Sequence, residues 1–198
     1  MEDQNKTSIK TIATFVIILI IVGGIGYTAF SQKSDTANSD KTGNVQTQTQ
    51  VQTQNQTPKT YRNETYKIEF QYPAILEEKE VKASGSAVLL VRGFVETGKT
   101  NSPNDINLSI NKDVEVTSLE KAKTKVVEIC KALKCTIKKI KDFESSSGAK
   151  GIVVTFSGKD VTISSILFVK NNLTYTFNLN IPGNESLLLE VAKTLKFL

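Results

Sequence analysis

The chain has 198 residues, with 25 Lys and Arg against 20 Asp and Glu for a formal charge of +5, and no histidine. That length fits one ordinary domain of about 100–150 residues plus appendages. The missing histidine excludes the commonest general base, the commonest metal ligand and the usual partner of a nucleophilic Ser or Cys, so any catalysis would rest on carboxylates or lysines.

After a short tail, residues 1–10, the segment 11–32 carries no charge. As a helix rising about 1.5 Å per residue it reaches roughly 33 Å, enough for a hydrocarbon layer of about 30 Å. A cleaved secretory signal is the competing assignment, with Ala29 and Ser31 at the positions a peptidase reads. The uninterrupted apolar run from Phe15 to Val22 with its flanks is longer than the usual signal core of about 7–15 residues, so a retained anchor is expected. Lys6 and Lys10 are offset by Glu2 and Asp3, and Lys33 and Lys41 follow the run, so basic residues barely set its orientation. Its nearness to the N-terminus predicts a signal anchor: a single-pass protein of the cell membrane with the C-terminal part outside the cytoplasm.

Residues 33–58 are almost all Ser, Thr, Gln, Asn, Lys and Asp, and Gln46 to Thr57 nearly alternates Gln with Thr. Such a composition cannot bury enough surface to offset the entropy of ordering, which predicts a disordered linker. Residues 59–198 then read as one α+β domain. Tyr66, Ile68, Phe70 and Tyr72 alternate with Lys67, Glu69 and Gln71, a half-buried strand stopped by Pro73. Further strands are expected at Ile75 to Val81, at Ala87 to Val91, and where Ile106, Leu108 and Ile110 alternate with Asn107, Ser109 and Asn111.

A helix is expected from Thr117, with Thr117 and Glu120 as a capping box and Leu119, Ala122, Val126, Cys130 and Leu133 as its buried stripe. Four strands follow, Cys135 to Phe143, Ala149 to Ser157, Val161 to Val169 and Leu173 to Ile181, joined by turns short enough for antiparallel hairpins. A last helix begins after Gly183, with Asn184 as cap, Glu185 in its first turn, Leu188, Val191, Ala192 and Leu195 buried, and Lys193 and Lys196 near its end. This order predicts an antiparallel sheet covered by helices.

The stretch from Tyr61 to Pro73, an aromatic strand ending in Tyr72-Pro73, resembles the opening of PsbP-like domains, and Leu195-Lys196-Phe197 is similar to their C-terminal end. The likeness runs over residues 61–198. Many such domains carry Trp soon after the Tyr-Pro pair, whereas Ile75 and Leu76 follow here and the chain has no Trp. The resemblance implies a PsbP-like sandwich acting as an extracytoplasmic, non-catalytic accessory or binding domain, and it carries over no site residues.

Three strings invite a chemical reading. Gly93-Phe94-Val95-Glu96-Thr97-Gly98-Lys99-Thr100 matches the phosphate-cradling loop, but that loop needs a helix beginning at its Lys, and Asn101-Ser102-Pro103-Asn104 follows instead; a turn is expected. Ser118-Leu119-Glu120-Lys121 matches the S-x-x-K of penicillin-recognising enzymes, yet Lys41-Thr42-Gly43 lies upstream in the linker, so Ser118 belongs to a helix cap. Glu77, Glu78 and Glu80 beside Lys79 and Lys82 read as a solvated face. No calcium-loop spacing and no cofactor motif occurs.

Cys130 and Cys135 are the two cysteines, and outside the cytoplasm they are expected to bridge across the turn that follows the first soluble helix. Lys121, Lys123, Lys125, Lys131, Lys134, Lys138, Lys139 and Lys141 share their stretch with one Glu, Glu128, before Asp142, a basic patch suited to anionic lipid or polymer. No Arg or aromatic residue interleaves them, which argues against specific nucleic-acid recognition. The function favoured is a membrane-tethered, non-catalytic module that binds or scaffolds a partner outside the cytoplasm, such as another envelope protein or an anionic polymer. A carboxylate-based hydrolase and a basic-patch binder of anionic envelope polymers or lipids are the alternatives.

Overall fold

The computed structural model describes residues 57–83, 85–158, 162–179 and 183–198. The expected tail, the membrane anchor over 11–32 and nearly all of the linker lie outside the described residues. Within these, no helix is long and apolar enough to cross a membrane.

The chain runs β1 (Lys59–Asn63), β2 (Ile68–Tyr72), β3 (Leu76–Glu80), β4 (Val88–Glu96), β5 (Ile106–Lys112), α1 (Leu119–Ala132), β6 (Thr136–Glu144), β7 (Lys150–Ser157), β8 (Thr162–Lys170), β9 (Leu173–Leu179), α2 (Glu185–Lys193) and β10 (Lys196–Phe197). It forms a three-stranded sheet, β1-β2-β10, and a seven-stranded sheet, β3-β4-β5-β9-β8-β7-β6. Every neighbouring pair is antiparallel. The large sheet is two consecutive meanders: β3 to β5, then a crossover through α1 to the far edge, and β6 to β9 returning until β9 pairs with β5. Asn171 and Asn172, at φ 51 and 59, make the tight turn between β8 and β9, the left-handed pair that a two-residue hairpin requires.

The main core lies between the two sheets and α2. Ile68, Phe70 and Tyr72 from the small sheet meet Phe94, Leu108, Phe168 and Phe177 from the large one, and Leu188, Val191, Ala192 and Leu195 close the layer. On the opposite face, α1 covers β6 to β8, packing Ala122 on Ile152, Val154 and Leu167. The result is three layers, an α+β sandwich of antiparallel sheets with helices on both faces.

Several expectations need correction. Two sheets form in place of one, because β1 and β10 flank β2: β1 buries only Tyr61, and β10 has two residues, so neither leaves a periodic signal. Lys196 accordingly sits in a strand, its Nζ 2.6 Å from Glu69 Oε1, and not at a helix end. The cap of α1 is Ser118, whose side chain accepts from Lys121 N, and not Thr117. Leu133 is the C-cap and 37% exposed, while Lys125 takes a buried place on the helix. Asn107, Ser109 and Asn111 on β5 and Thr174, Thr176 and Asn178 on β9 are as buried as the apolar residues they alternate with.

Candidate functional site

The string from Gly93 to Thr100 is the end of β4 and a hairpin turn. Phe94 is buried in the main core, Gly98 turns at φ +75, and the next element is strand β5. Several of its backbone donors are already engaged, Glu96 N with Asp105 Oδ1 (2.8 Å), Thr97 N with Ile75 O (3.0 Å) and Lys99 N with Glu96 O (3.1 Å), as is Ser102 N just beyond it with Asp105 Oδ2 (3.1 Å). Lys99 Nζ lies 2.5 Å from Glu96 Oε1, and Ser102 Oγ and Asn104 Nδ2 donate to Glu96 Oε2. These donors, Lys99 foremost, hold the Glu96 carboxyl below its ordinary range. The loop is filled by its own side chains, and a phosphate would find few free N–H groups.

Ser118 Oγ faces its own helix at 3.3 Å from Lys121 N. Glu77, Glu78 and Glu80 lie exposed on β3, an edge strand, where Arg92 Nε meets Glu78 Oε1 at 3.2 Å and Arg92 Nη1 meets Glu80 Oε1 at 3.4 Å. The acidic run is therefore spread along an edge, with Glu78 and Glu80 engaged by one arginine.

The eight lysines do not share one surface. Lys125 is 7% exposed, with Nζ 2.5 Å from Glu115 Oε2. Lys123 bridges Glu120 (2.8 Å) and Asp142 (2.9 Å), and Lys139 meets Glu185 at 3.1 Å. Lys121, Lys131, Lys134, Lys138 and Lys141 remain exposed. Lys138, Lys139 and Lys141 belong to β6, the other edge of the large sheet. Lysine on an edge strand discourages pairing with another chain, a structural reason for these charges that needs no polyanion.

Cys130 and Cys135 are joined by a disulfide, with Cα atoms 4.9 Å apart. The helix end explains the spacing. Cys135 N donates to Cys130 O (2.9 Å) and Lys134 N to Lys131 O (3.2 Å), with Lys134 left-handed at φ 56. This is a Schellman end, whose two bridged positions normally hold a hydrophobic contact and whose left-handed residue is normally Gly. The bridge fastens a turn that Lys134 fits poorly. Alkylation without reductant should add no label to the intact mass, and two labels would refute the bridge. Replacing both cysteines by Ala should lower unfolding stability by about 2 kcal/mol, the scale for so short a loop.

The arrangement that sequence reasoning missed lies on the α1 side of the large sheet. Asn107, Ser109 and Asn111 on β5 stand opposite Asn178, Thr176 and Thr174 on β9, all buried, and Ser165 on β8 donates to Asn178 Oδ1 at 2.5 Å. A signal was present: these alternating polar residues are short and uncharged, whereas the exposed face of β3 carries Glu and Lys. Uncharged polar residues on two neighbouring strands mark a covered face; charged ones mark a solvated face.

No protein-family model and no curated relative matches the chain. Among solved structures it is similar to cyanobacterial PsbP from Synechocystis sp. PCC 6803, with 14% identity and a TM-score of 0.53 over 71% of this chain and 92% of that one. It is also similar to the Ran-binding protein Mog1p of Saccharomyces cerevisiae, with 11% identity and a TM-score of 0.46 over 71% of this chain and 95% of that one. The fold is PsbP-like.

Proposed function

We propose that this chain is a membrane-tethered, non-catalytic binding module that displays its PsbP-like domain outside the cytoplasm. The observation that carries the binding role is the row of uncharged polar side chains buried along β5 and β9, where an apolar row would stabilise the sheet more. The tether rests on the uncharged segment 11–32, followed by a polar stretch that ends just before β1. Lack of histidine and the scattering of Glu77, Glu78 and Glu80 along an exposed edge weigh against the carboxylate hydrolase. Pairing of Lys123, Lys125 and Lys139 weighs against one continuous polyanion surface and leaves another envelope protein or a small ligand as the better partner.

Protease added to intact cells that make the protein should cut within residues 33–58 and release the domain while the N-terminal tail stays protected. Survival of the whole chain in intact cells, with cutting only after permeabilisation, would overturn the tethered topology.

A further inference from the structure

Asn111 Oδ1, Asp113 Oδ2 and Thr174 Oγ1 are buried and find no hydrogen-bond partner in the protein. The three residues are 2%, 5% and 1% exposed. They belong to one patch: Asn111 and Thr174 face each other across the β5–β9 pairing, and Asp113 follows Asn111 by two residues, just beyond the end of β5. Directly opposed residues bring their Cβ atoms to about 4.5–5.5 Å, and alternate residues of an extended chain stand on the same side about 7 Å apart. Each unpartnered buried group costs about 1–3 kcal/mol.

What each oxygen offers is fixed by what its residue has already given away. Asn111 Nδ2 donates to Ser109 Oγ at 3.3 Å, which leaves the amide oxygen. Asp113 Oδ1 accepts from Glu115 N at 2.8 Å, which leaves Oδ2 of a carboxylate. Thr174 contributes a hydroxyl. The patch therefore presents two acceptors, a hydroxyl able to accept, and one formal negative charge. Lys125, the nearest buried cation along the chain, is engaged with Glu115. Val114 is 79% exposed and the Glu115 side chain 53%, so the segment that covers the patch beyond Asp113 lies at the surface.

We propose that Asn111, Asp113 and Thr174 form the binding site for a primary ammonium group, which donates one hydrogen bond to each of the three oxygens while its charge balances Asp113. The assignment rests on the binding role proposed above and names the ligand chemistry. Three acceptors match the three N–H bonds of an alkylammonium, and a single carboxylate matches its single charge. A hard divalent cation would call for about six to eight oxygens, several from carboxylates. Among the described residues no group of three or more His, Cys, Asp or Glu side chains could hold a metal ion.

The test is thermal unfolding of the full-length chain in detergent micelles, followed by circular dichroism at constant ionic strength. Methylammonium chloride is the probe, with tetramethylammonium and potassium chloride as controls that bring the charge without N–H donors. Methylammonium should raise Tm saturably and the controls should not. Thr174→Val keeps the shape and removes an unpartnered hydroxyl, so it should be at least as stable as the native chain without amine. Its apparent affinity for methylammonium should fall about tenfold or more, the scale of a lost hydrogen bond to a charged group, and that of Asp113→Asn further. Equal shifts from all three salts, a saturable shift from potassium, or an unaltered response in Thr174→Val would overturn the site. No response from the native chain would overturn it too, leaving solvent as the partner of these oxygens. The assay does not depend on topology, so its failure leaves the tether standing, and a failed protease experiment leaves this site standing.

Discussion

Phe70→Ala should destabilise the domain by about 3–5 kcal/mol, the range for removing a buried aromatic ring. Phe70 stands on the small sheet, and its ring centroid lies 5.1 Å from Tyr61, 5.3 Å from Phe94 and 5.1 Å from Phe177. Phe94 and Phe177 belong to the large sheet and meet Phe70 edge to face, so this ring is a central aromatic contact between the two sheets, beside those of Tyr72 with Phe94 and Phe197 with Tyr175. Small domains are stable by only about 5–15 kcal/mol, so the loss is a large fraction of the whole. Urea unfolding followed by circular dichroism measures it, with Phe70→Leu as a milder partner that retains much of the volume. A loss below about 1 kcal/mol for Phe70→Ala would mean that the sheets are held together elsewhere.

Gly183→Ala should lower stability by about 1–3 kcal/mol through a steric conflict. A Cβ at Gly183 would lie 2.3 Å from Pro103 O and 2.9 Å from Pro103 C and Cα. All three are backbone atoms, so no side-chain rotation relieves the contact. The same junction carries the hydrogen bond from Asn184 N to Pro103 O at 3.1 Å, and Asn184 Oδ1 accepts from Leu187 N to cap α2. Moving Pro103 away therefore disturbs both the loop that follows β4 and the start of α2. Gly98→Ala is the comparison, since nothing lies within 4 Å of a Cβ there and only its φ of +75 opposes the change. Comparable Tm values for the two variants would rule out the close approach as the cause.

The elements with strong periodicity were legible in the sequence. Alternation through Ile68, Phe70 and Tyr72 marked β2, and the stripe of Leu188, Val191, Ala192 and Leu195 marked α2 with its Asn184 cap. Strands β1 and β10 were not, because each is held by its pairing with β2 and not by a row of its own apolar side chains. Lys125 illustrates a second limit. A lysine on a helix is ordinarily read as solvated, and only the partner Glu115, ten residues earlier, makes its burial tolerable. Such a partner has no marker in local sequence. The patch at Asn111, Asp113 and Thr174 was hidden for a related reason. Asn111 and Thr174 come from strands that pair across more than sixty residues of intervening chain, and the alternation on each strand tells buried from exposed only when both are compared.

The order β1-β2-β10 brings the two ends of the domain side by side, since its first strand and its last flank the same central strand. Any load applied through the residues before Lys59 is thus received first by the layer of β1, β2 and β10, and reaches the large sheet through core contacts such as Phe70 with Phe94 and Phe177 and Phe197 with Tyr175. The α1 side, with its buried polar row, belongs to the opposite layer. Under the proposed function, the tether would enter at β1 while the polar row faces the α1 side of β5 and β9, the face turned away from the contacts of Phe70 with Phe94 and Phe177.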